Sequence, residues 1–80
     1  MADMLKEGDL VKVLDDPTGS GYYLITVHHA GKQHDEPVTH YAGRVGRIKG
    51  GIDDLTYIVE VNEGHSIYVP YYSLEKLDHA

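Results

Sequence analysis

Histidine and acidic side chains are concentrated in one segment of this 80-residue chain. The segment contains His28, His29, His34, Asp35, Glu36 and His40. Imidazole nitrogen and carboxylate oxygen are ligands that zinc, nickel and copper accept. However, the spacing matches no established metal motif, and neighbouring residues such as His28 and His29 point to opposite faces of an extended strand. A metal site formed by His28, His34 and His40 is therefore one hypothesis, and a polar, solvated hairpin loop is the other.

Basic side chains come close together in sequence only at Arg44, Arg47 and Lys49. Arg47 and Lys49 are two residues apart and share a face of a strand, whereas Arg44 and Lys49 do not. With Tyr41 nearby, this group is suited to holding a phosphate backbone and stacking a base. The alternative is ordinary surface charge, because strand bending explains the surrounding glycines.

Tyrosine occurs seven times in the chain, which has neither Trp nor Phe. A tyrosine packs an apolar ring while its hydroxyl stays in water, which suits half-buried strands and binding surfaces alike. We expect Tyr68 and one of Tyr71 and Tyr72 to pack inside, and the other to contact a partner, since tyrosine is frequent at interface hot spots. The candidate partner-binding residues are Tyr41, Asp35, Glu36, Tyr71 and Tyr72.

The sequence lacks the residue patterns of a catalytic centre. It contains no cysteine, and Ser66 directly follows His65, a spacing that does not place a base against the hydroxyl. The stretch Gly19-Ser20-Gly21 does not match the Gly-x-x-x-x-Gly-Lys pattern of a phosphate-binding loop, and the helix that follows such a loop is missing. A small barrel also leaves little room for a water-excluding pocket. We therefore expect no catalysis and no cofactor.

The charge balance narrows the classes of partner. Seven Lys and Arg residues against thirteen Asp and Glu residues give a formal net charge of −6. This charge disfavours nonspecific binding to nucleic acid or anionic membranes and favours a basic partner surface. The apolar runs are too short to span a bilayer, and residues 1–7 lack the apolar stretch of a signal peptide. The absence of cysteine suits a reducing compartment, and we expect a cytoplasmic protein.

Glycine and proline interrupt the chain every few residues and leave little room for a helix. Short β-rich runs predict strands at residues 10–14, 22–28, 44–49, 55–61, 65–69 and 74–77. The residues between them predict an exposed loop at 29–37 with a returning hairpin arm at 38–41, turns at 50–54 and 62–64, and a 3₁₀ turn at 70–73. Gly46, inside a strand, predicts a bulge or bend. Closure into a small barrel would remove the exposed strand edges.

Two glycine-containing stretches resemble KOW-type and related SH3-like barrels. They are Gly8-Asp9-Leu10-Val11-Lys12-Val13 and Gly43-Arg44-Val45-Gly46-Arg47-Ile48, and residues 57–77 are similar to the ends of small bacterial SH3-like proteins. The resemblance implies an all-β, SH3-like barrel of five to six short strands, with a long early loop and a C-terminal 3₁₀ turn. Residues 1–80 would form this single domain, although residues 15–42 separate two halves that KOW motifs keep close together.

The functions implied by these families fit the sequence unequally. KOW domains resemble RNA-binding modules with basic surfaces, whereas this chain is acidic. The stretch Pro70-Tyr71-Tyr72 is similar to the 3₁₀ turn of eukaryotic SH3 domains, but their acidic aromatic segment and groove tryptophan are missing, so we do not expect binding of proline-rich peptides.

The leading hypothesis is a small protein-binding module, an accessory subunit or regulator that presents a barrel face and residues 15–42 to a partner. The alternatives are a KOW-like nucleic-acid-binding domain and a histidine-based metal-binding protein. A related hypothesis is a phage-type inhibitor that imitates nucleic acid with the carboxylates of Asp15, Asp16, Asp35, Glu36, Asp53 and Asp54.

Overall fold

The protein is all-β in a computed structural model that describes residues 5–77. The elements follow in the order β1 (Leu10–Val13), β2 (Leu24–His29), β3 (Lys32–Pro37), η1 (Val38–Tyr41), β4 (Val45–Gly51), β5 (Thr56–Asn62), β6 (His65–Pro70), η2 (Tyr71–Ser73) and β7 (Leu74–Lys76), where η marks a 3₁₀ helix. The six strands expected from sequence all lie within two residues of their predicted positions, and η2 is the predicted 3₁₀ turn. No helix within residues 5–77 is long and apolar enough to cross a membrane.

The seven strands form one antiparallel sheet in the order β3-β2-β6-β5-β4-β1-β7. Strands β4, β5 and β6 form a meander, and β1 pairs with both β4 and the last strand, β7. The β2–β3 hairpin joins the sheet where β2 pairs with β6. The β2–β3 hairpin pairs with the side of β6 that β5 leaves free, so β3 is one edge strand of the sheet and β7 is the other. Within residues 5–77, no pairing joins these two edge strands. The sheet is therefore open, and the closed barrel predicted from sequence is not observed.

The core lies on one face of this sheet. Alternate residues of a strand point to the same face, so Val11 and Val13 of β1 are buried while Lys12 between them is not. Every strand except β3 contributes, and η1 adds two side chains. The buried apolar residues are Val11, Val13, Ile25, Val27, Val38, Tyr41, Ile48, Val59, Ile67, Val69 and Leu74.

Residues 29–37 are not the exposed loop that the sequence predicts. Ala30 and Gly31 have φ angles of 56° and 75°, which match the twist of a two-residue hairpin turn. The polar segment Lys32–Pro37 then pairs with β2 along its whole length. Its polar composition reflects its position at the edge of the sheet, where charge and proline discourage pairing with another chain. Because β3 is the returning arm, residues 38–41 form η1 instead.

Gly46 does not mark the bulge in β4. The register between β4 and β5 shifts between Ile48 and Gly50, so the extra residue is Lys49. At Gly46 the two strands approach closely, and a Cβ atom there would lie 2.5 Å from the carbonyl oxygen of Glu60. Gly50 and Gly51 continue β4 rather than forming the predicted turn.

Candidate functional site

A group of apolar side chains outside the core, here called the tyrosine face, comes from three separate segments. These segments are the residues entering β2, the connection between β4 and β5, and η2. The members are Tyr22, Tyr23, Leu24, Ile52, Leu55, Tyr71 and Tyr72, all exposed except the half-buried Tyr23. Sequence reasoning identified only the two tyrosines of η2, because the other members lie far away along the chain.

Direct contacts join these segments. The hydroxyls of Tyr23 and Tyr72 are 2.8 Å apart, and their rings meet edge to face with centroids 6.3 Å apart. Tyr72 also meets Tyr71 edge to face at 5.4 Å. The backbone N–H of Tyr71 donates to the carbonyl of Leu55 at 2.7 Å. The tyrosine face is therefore one connected surface.

A shallow groove of about 280 Å³ adjoins this face and shares Tyr23, Leu24 and Ile52 with it. Its lining residues are Tyr23, Leu24, Ile25, Thr26, Ile52, Thr56, Tyr68 and Pro70. Tyr68 was expected to pack inside, but it alternates with the buried Ile67 and Val69 and so points to the face opposite the core. The groove is slightly smaller than the range of about 300–1,000 Å³ that is usual for small-molecule pockets.

Carboxylates lie near the groove, and two of them accept hydrogen bonds from residues that line it. Asp35 accepts a 3.5 Å hydrogen bond from Thr26, a groove residue. Asp53 and the exposed Asp54 follow Ile52 directly in the chain. Asp16 accepts from the backbone N–H of Tyr23, another groove residue, at 3.4 Å. Asp16 and Asp35, which accept hydrogen bonds from groove residues, are here called the acidic rim of the groove.

Asp16 organises the loop that leads into the tyrosine face. Its carboxylate accepts from the backbone and the hydroxyl of Thr18 at 2.7 and 2.6 Å, and from the backbone N–H of Gly21 at 2.6 Å. The hydrogen bond from the Thr18 hydroxyl is the largest cause that lowers the pKa of Asp16, and the backbone N–H groups lower it further. Asp16 therefore remains ionised well into acid.

A second group, here called the imidazole cluster, lies on the core side of the sheet. Its members are His29, His34, Glu36, His40, Tyr41 and His65. Glu36 bridges two of the histidines, with 2.6 Å to His34 Nε2 and 3.1 Å to His40 Nδ1. The hydrogen bond with His40 and then that with His34 lower the pKa of Glu36.

Tyr41 connects Glu36 to His65. Its hydroxyl lies 2.8 Å from Nε2 of His65 and 3.4 Å from Oε2 of Glu36. The His65 ring stacks on His29, its direct cross-strand partner, with centroids 4.2 Å apart and planes 18° apart. Burial, followed by the neighbouring His29 and Arg44, lowers the pKa of His65. Burial is also the main reason why the pKa of Tyr41 is raised.

Of the three histidines proposed from sequence as metal ligands, only His34 and His40 come together, through Glu36. His28 lies on the outer face against Tyr68, with ring centroids 4.9 Å apart, whereas His34 and His40 lie on the core side. Within residues 5–77, no group of three or more His, Asp or Glu side chains is placed to hold a metal ion. The pairing of His29 with His65 was missed because it depends on the register between β2 and β6.

The candidate partner-binding residues divide between the two groups. Tyr71 and Tyr72 are 47% and 46% exposed, so neither packs inside, and Asp35 borders the groove. Tyr41 is only 4% exposed and belongs to the core. Glu36 is occupied by two histidines on the other face. Tyr71 and Tyr72 therefore contact each other, and Asp35 lies on the face of the sheet opposite to Tyr41 and Glu36.

The three basic residues do not form one patch. The Arg44 guanidinium lies over the Tyr41 ring, 5.8 Å from its centroid, on the core side. Arg47 donates to the carbonyl of Gly8 at 3.0 Å, and Lys49 lies 3.7 Å from a carboxylate oxygen of Glu60. Each cation thus has an internal partner, and the geometry does not favour a shared phosphate-binding surface.

Comparison with known proteins gave no match: no family model fits the chain, and no curated protein or solved structure is significantly similar to it. The functional argument therefore depends on the contacts and charges described above.

Proposed function

We propose that this protein is a small, non-catalytic binding module whose tyrosine face docks a basic segment of a partner protein. The observation that carries this proposal is that the exposed Leu24 and Ile52 line one groove together with Tyr23, whose ring contacts the exposed Tyr72. In this proposal the protein acts as an accessory subunit or regulator in the cytoplasm.

The tyrosine face has the physical character of an interface centre. Contiguous exposed apolar patches on soluble proteins often mark interaction sites, and tyrosines are enriched among the residues that contribute most to binding. The hydrogen bond between Tyr23 and Tyr72 and the backbone bond from Tyr71 to Leu55 hold the surface in place before binding. Less conformational entropy is then lost when a partner docks.

The acidic rim favours a partner segment that carries lysine or arginine beside an apolar side chain. Asp16 and Asp35 each accept a hydrogen bond from a groove residue, and the whole chain carries a formal charge of −6. Complementary charge speeds association and excludes acidic competitors. A partner segment that places an apolar side chain in the groove and a lysine or arginine against the acidic rim would match both the groove and its carboxylates.

A relationship to SH3-like barrels remains part of the proposal. The two stretches that resemble those barrels contain the neighbouring strands β1 and β4, which pair with each other. The 3₁₀ helix η2 leads directly into β7, which pairs with the other side of β1. Both features support the resemblance, and loops on such a β scaffold are frequent sites of recognition.

Selection from a random peptide library displayed on phage tests the docking proposal. We expect enriched peptides to carry a basic residue next to apolar ones, and their affinity to fall as the salt concentration rises. Substitutions Leu24→Ser and Tyr71→Ser should each weaken binding by roughly tenfold or more, the range of an interface hot spot.

Val45→Ser is the matched control, because Val45 is a 45% exposed apolar residue outside the tyrosine face. Circular dichroism establishes that each variant is folded. Failure to enrich any peptide, or equal binding by the Leu24→Ser and Val45→Ser variants, would rule out the tyrosine face as the docking site.

A further inference from the structure

The four histidines of the imidazole cluster divide into two pairs with different partners. His34 and His40 both contact the Glu36 carboxylate, at 2.6 and 3.1 Å. Within residues 5–77, no carboxylate forms a salt bridge with His29 or His65. These two rings stack on each other instead, as direct cross-strand partners at one end of the β2–β6 ladder, with centroids 4.2 Å apart. Proton uptake therefore has different consequences for the two pairs.

The surroundings of the stacked pair offer cations but no free carboxylate. His29 directly opposes Lys32 of β3. Both oxygens of Glu36 are already engaged, one by His34 and the other by His40. The ionisable groups of the neighbouring elements are Lys32, His34 and Glu36 of β3, His40 and Tyr41 of η1, Arg44 before β4, and the exposed Glu63 of the turn before β6. A second positive charge on the stacked rings would therefore have no direct counter-ion.

Mild acid brings such charges onto the pair. Histidine takes up a proton near pH 6.5, and two stacked imidazolium ions repel each other. Burial, followed by the neighbouring His29 and Arg44, lowers the pKa of His65 from its ordinary value of 6.5. The opened or unfolded chain therefore takes up this proton first as the pH falls. The stabilising contribution of the uncharged His65 is complete above pH 6.5 and is lost as the pH falls through the lower value of the folded chain.

We propose that the His29–His65 stack is a proton-sensitive contact, which closes the end of the β2–β6 ladder near neutral pH and opens it in mild acid. The contacts of Glu36 respond in the opposite direction, because a protonated His34 or His40 attracts the carboxylate more strongly. Strand β3 and η1 thus stay joined while β2 separates from β6 at this end. The inference does not depend on docking at the tyrosine face, since Leu24 stands at the other end of β2.

Amide hydrogen exchange followed by NMR at pH 7.5 and pH 5.0 tests this contact, with protection factors corrected for the intrinsic pH dependence of exchange. We expect the amides of residues 27–29 and 65–67 to lose at least about fivefold in protection at pH 5.0. That factor corresponds to about 1 kcal/mol, the repulsion between two unit charges about 4 Å apart in water. The reference is the amide of Tyr71, which donates to the Leu55 carbonyl beyond the other end of β6 and should change far less.

His29→Gln should fold normally, because His29 is exposed, and its loss of protection should be smaller than that of the wild type by about the same factor. His40→Gln is the matched control, since it removes another exposed histidine of the cluster whose partner is a carboxylate, and the loss should remain. Unchanged protection in the wild type, a full loss in His29→Gln, or an equal loss at Tyr71 would overturn the proposal. So would disappearance of the loss in His40→Gln, or in His28→Gln on the opposite face of β2.

Discussion

The phenolic oxygens of Tyr23 and Tyr72 lie 2.8 Å apart although 49 positions separate the two residues in sequence. One hydroxyl donates to the other, and the rings meet at 81°. This contact connects the residues that enter β2 with the 3₁₀ helix η2. Part of the tyrosine face is therefore held in place by a long-range contact.

Removing one of the paired hydroxyls should destabilise the fold modestly. We expect Tyr72→Phe to lower the free energy of unfolding by about 0.5–1 kcal/mol, because a partly exposed hydrogen bond is replaced by one to water. Urea denaturation measures the change. Tyr22→Phe is the control, since the Tyr22 side chain is exposed and has no hydrogen-bond partner within residues 5–77. Equal destabilisation by both substitutions would contradict a role for the paired hydroxyls.

Alkaline pH should weaken the same contact. The hydrogen bond with Tyr72, followed by burial, raises the pKa of Tyr23 from 10.0 to about 12. The unfolded chain then loses this proton at lower pH than the folded chain does. The stabilising contribution is complete below pH 10 and is lost as the pH rises toward 12. Urea midpoints between pH 9 and 12 should fall less steeply for Tyr23→Phe than for the wild type, and parallel curves would refute this assignment.

Acid should lower the stability of the protein through Asp16, whose pKa is shifted in the opposite direction to that of Tyr23. Its pKa is lowered in the folded state, so the unfolded chain takes up this proton first as the pH falls. The contribution is complete above the ordinary aspartate value, about 3.9, and disappears as the pH falls through the lower folded value. Melting temperatures measured from pH 7 to pH 2 should show Asp16→Asn below wild type at pH 7 and converging with it in acid.

Asp54→Asn serves as the control for that series, because Asp54 is exposed and no side-chain hydrogen bond joins it to another residue in the described part of the chain. Its melting curve should follow the wild type throughout. A constant difference between wild type and Asp16→Asn at every pH would show that the carboxylate charge is not responsible.

A methyl group at Gly46 should disrupt the contact between β4 and β5. The added Cβ would lie 2.5 Å from the carbonyl oxygen of Glu60 and 2.8 Å from Cγ1 of Val59. Because backbone must move, we expect Gly46→Ala to cost roughly 1–3 kcal/mol in the free energy of unfolding. Gly50→Ala in the same strand places its Cβ in open space and should change stability far less. Similar urea midpoints for the two variants would refute the close approach.

Local sequence patterns were sufficient to locate most strands. Alternation of apolar residues placed β1 and β5, and the turn predicted at residues 62–64 and the 3₁₀ helix η2 followed from glycine and proline chemistry. Strand β3 was missed because an edge strand buries little apolar surface, so its sequence Lys32–Pro37 has the polarity of a loop. The bulge was assigned to the wrong residue. Gly46 is needed because β5 approaches the backbone closely there, whereas the extra residue of the bulge is Lys49.

The sequence by itself determined the all-β class, the acidic charge and the surplus of tyrosine, since these depend on composition and on periodicity between near neighbours. Only the tertiary structure decided which side chains act together. Strand register paired His29 with His65, and packing brought Tyr23 against Tyr72 while burying Tyr41. Such contacts are set by the pairing order of distant strands, which the local pattern of residues does not encode.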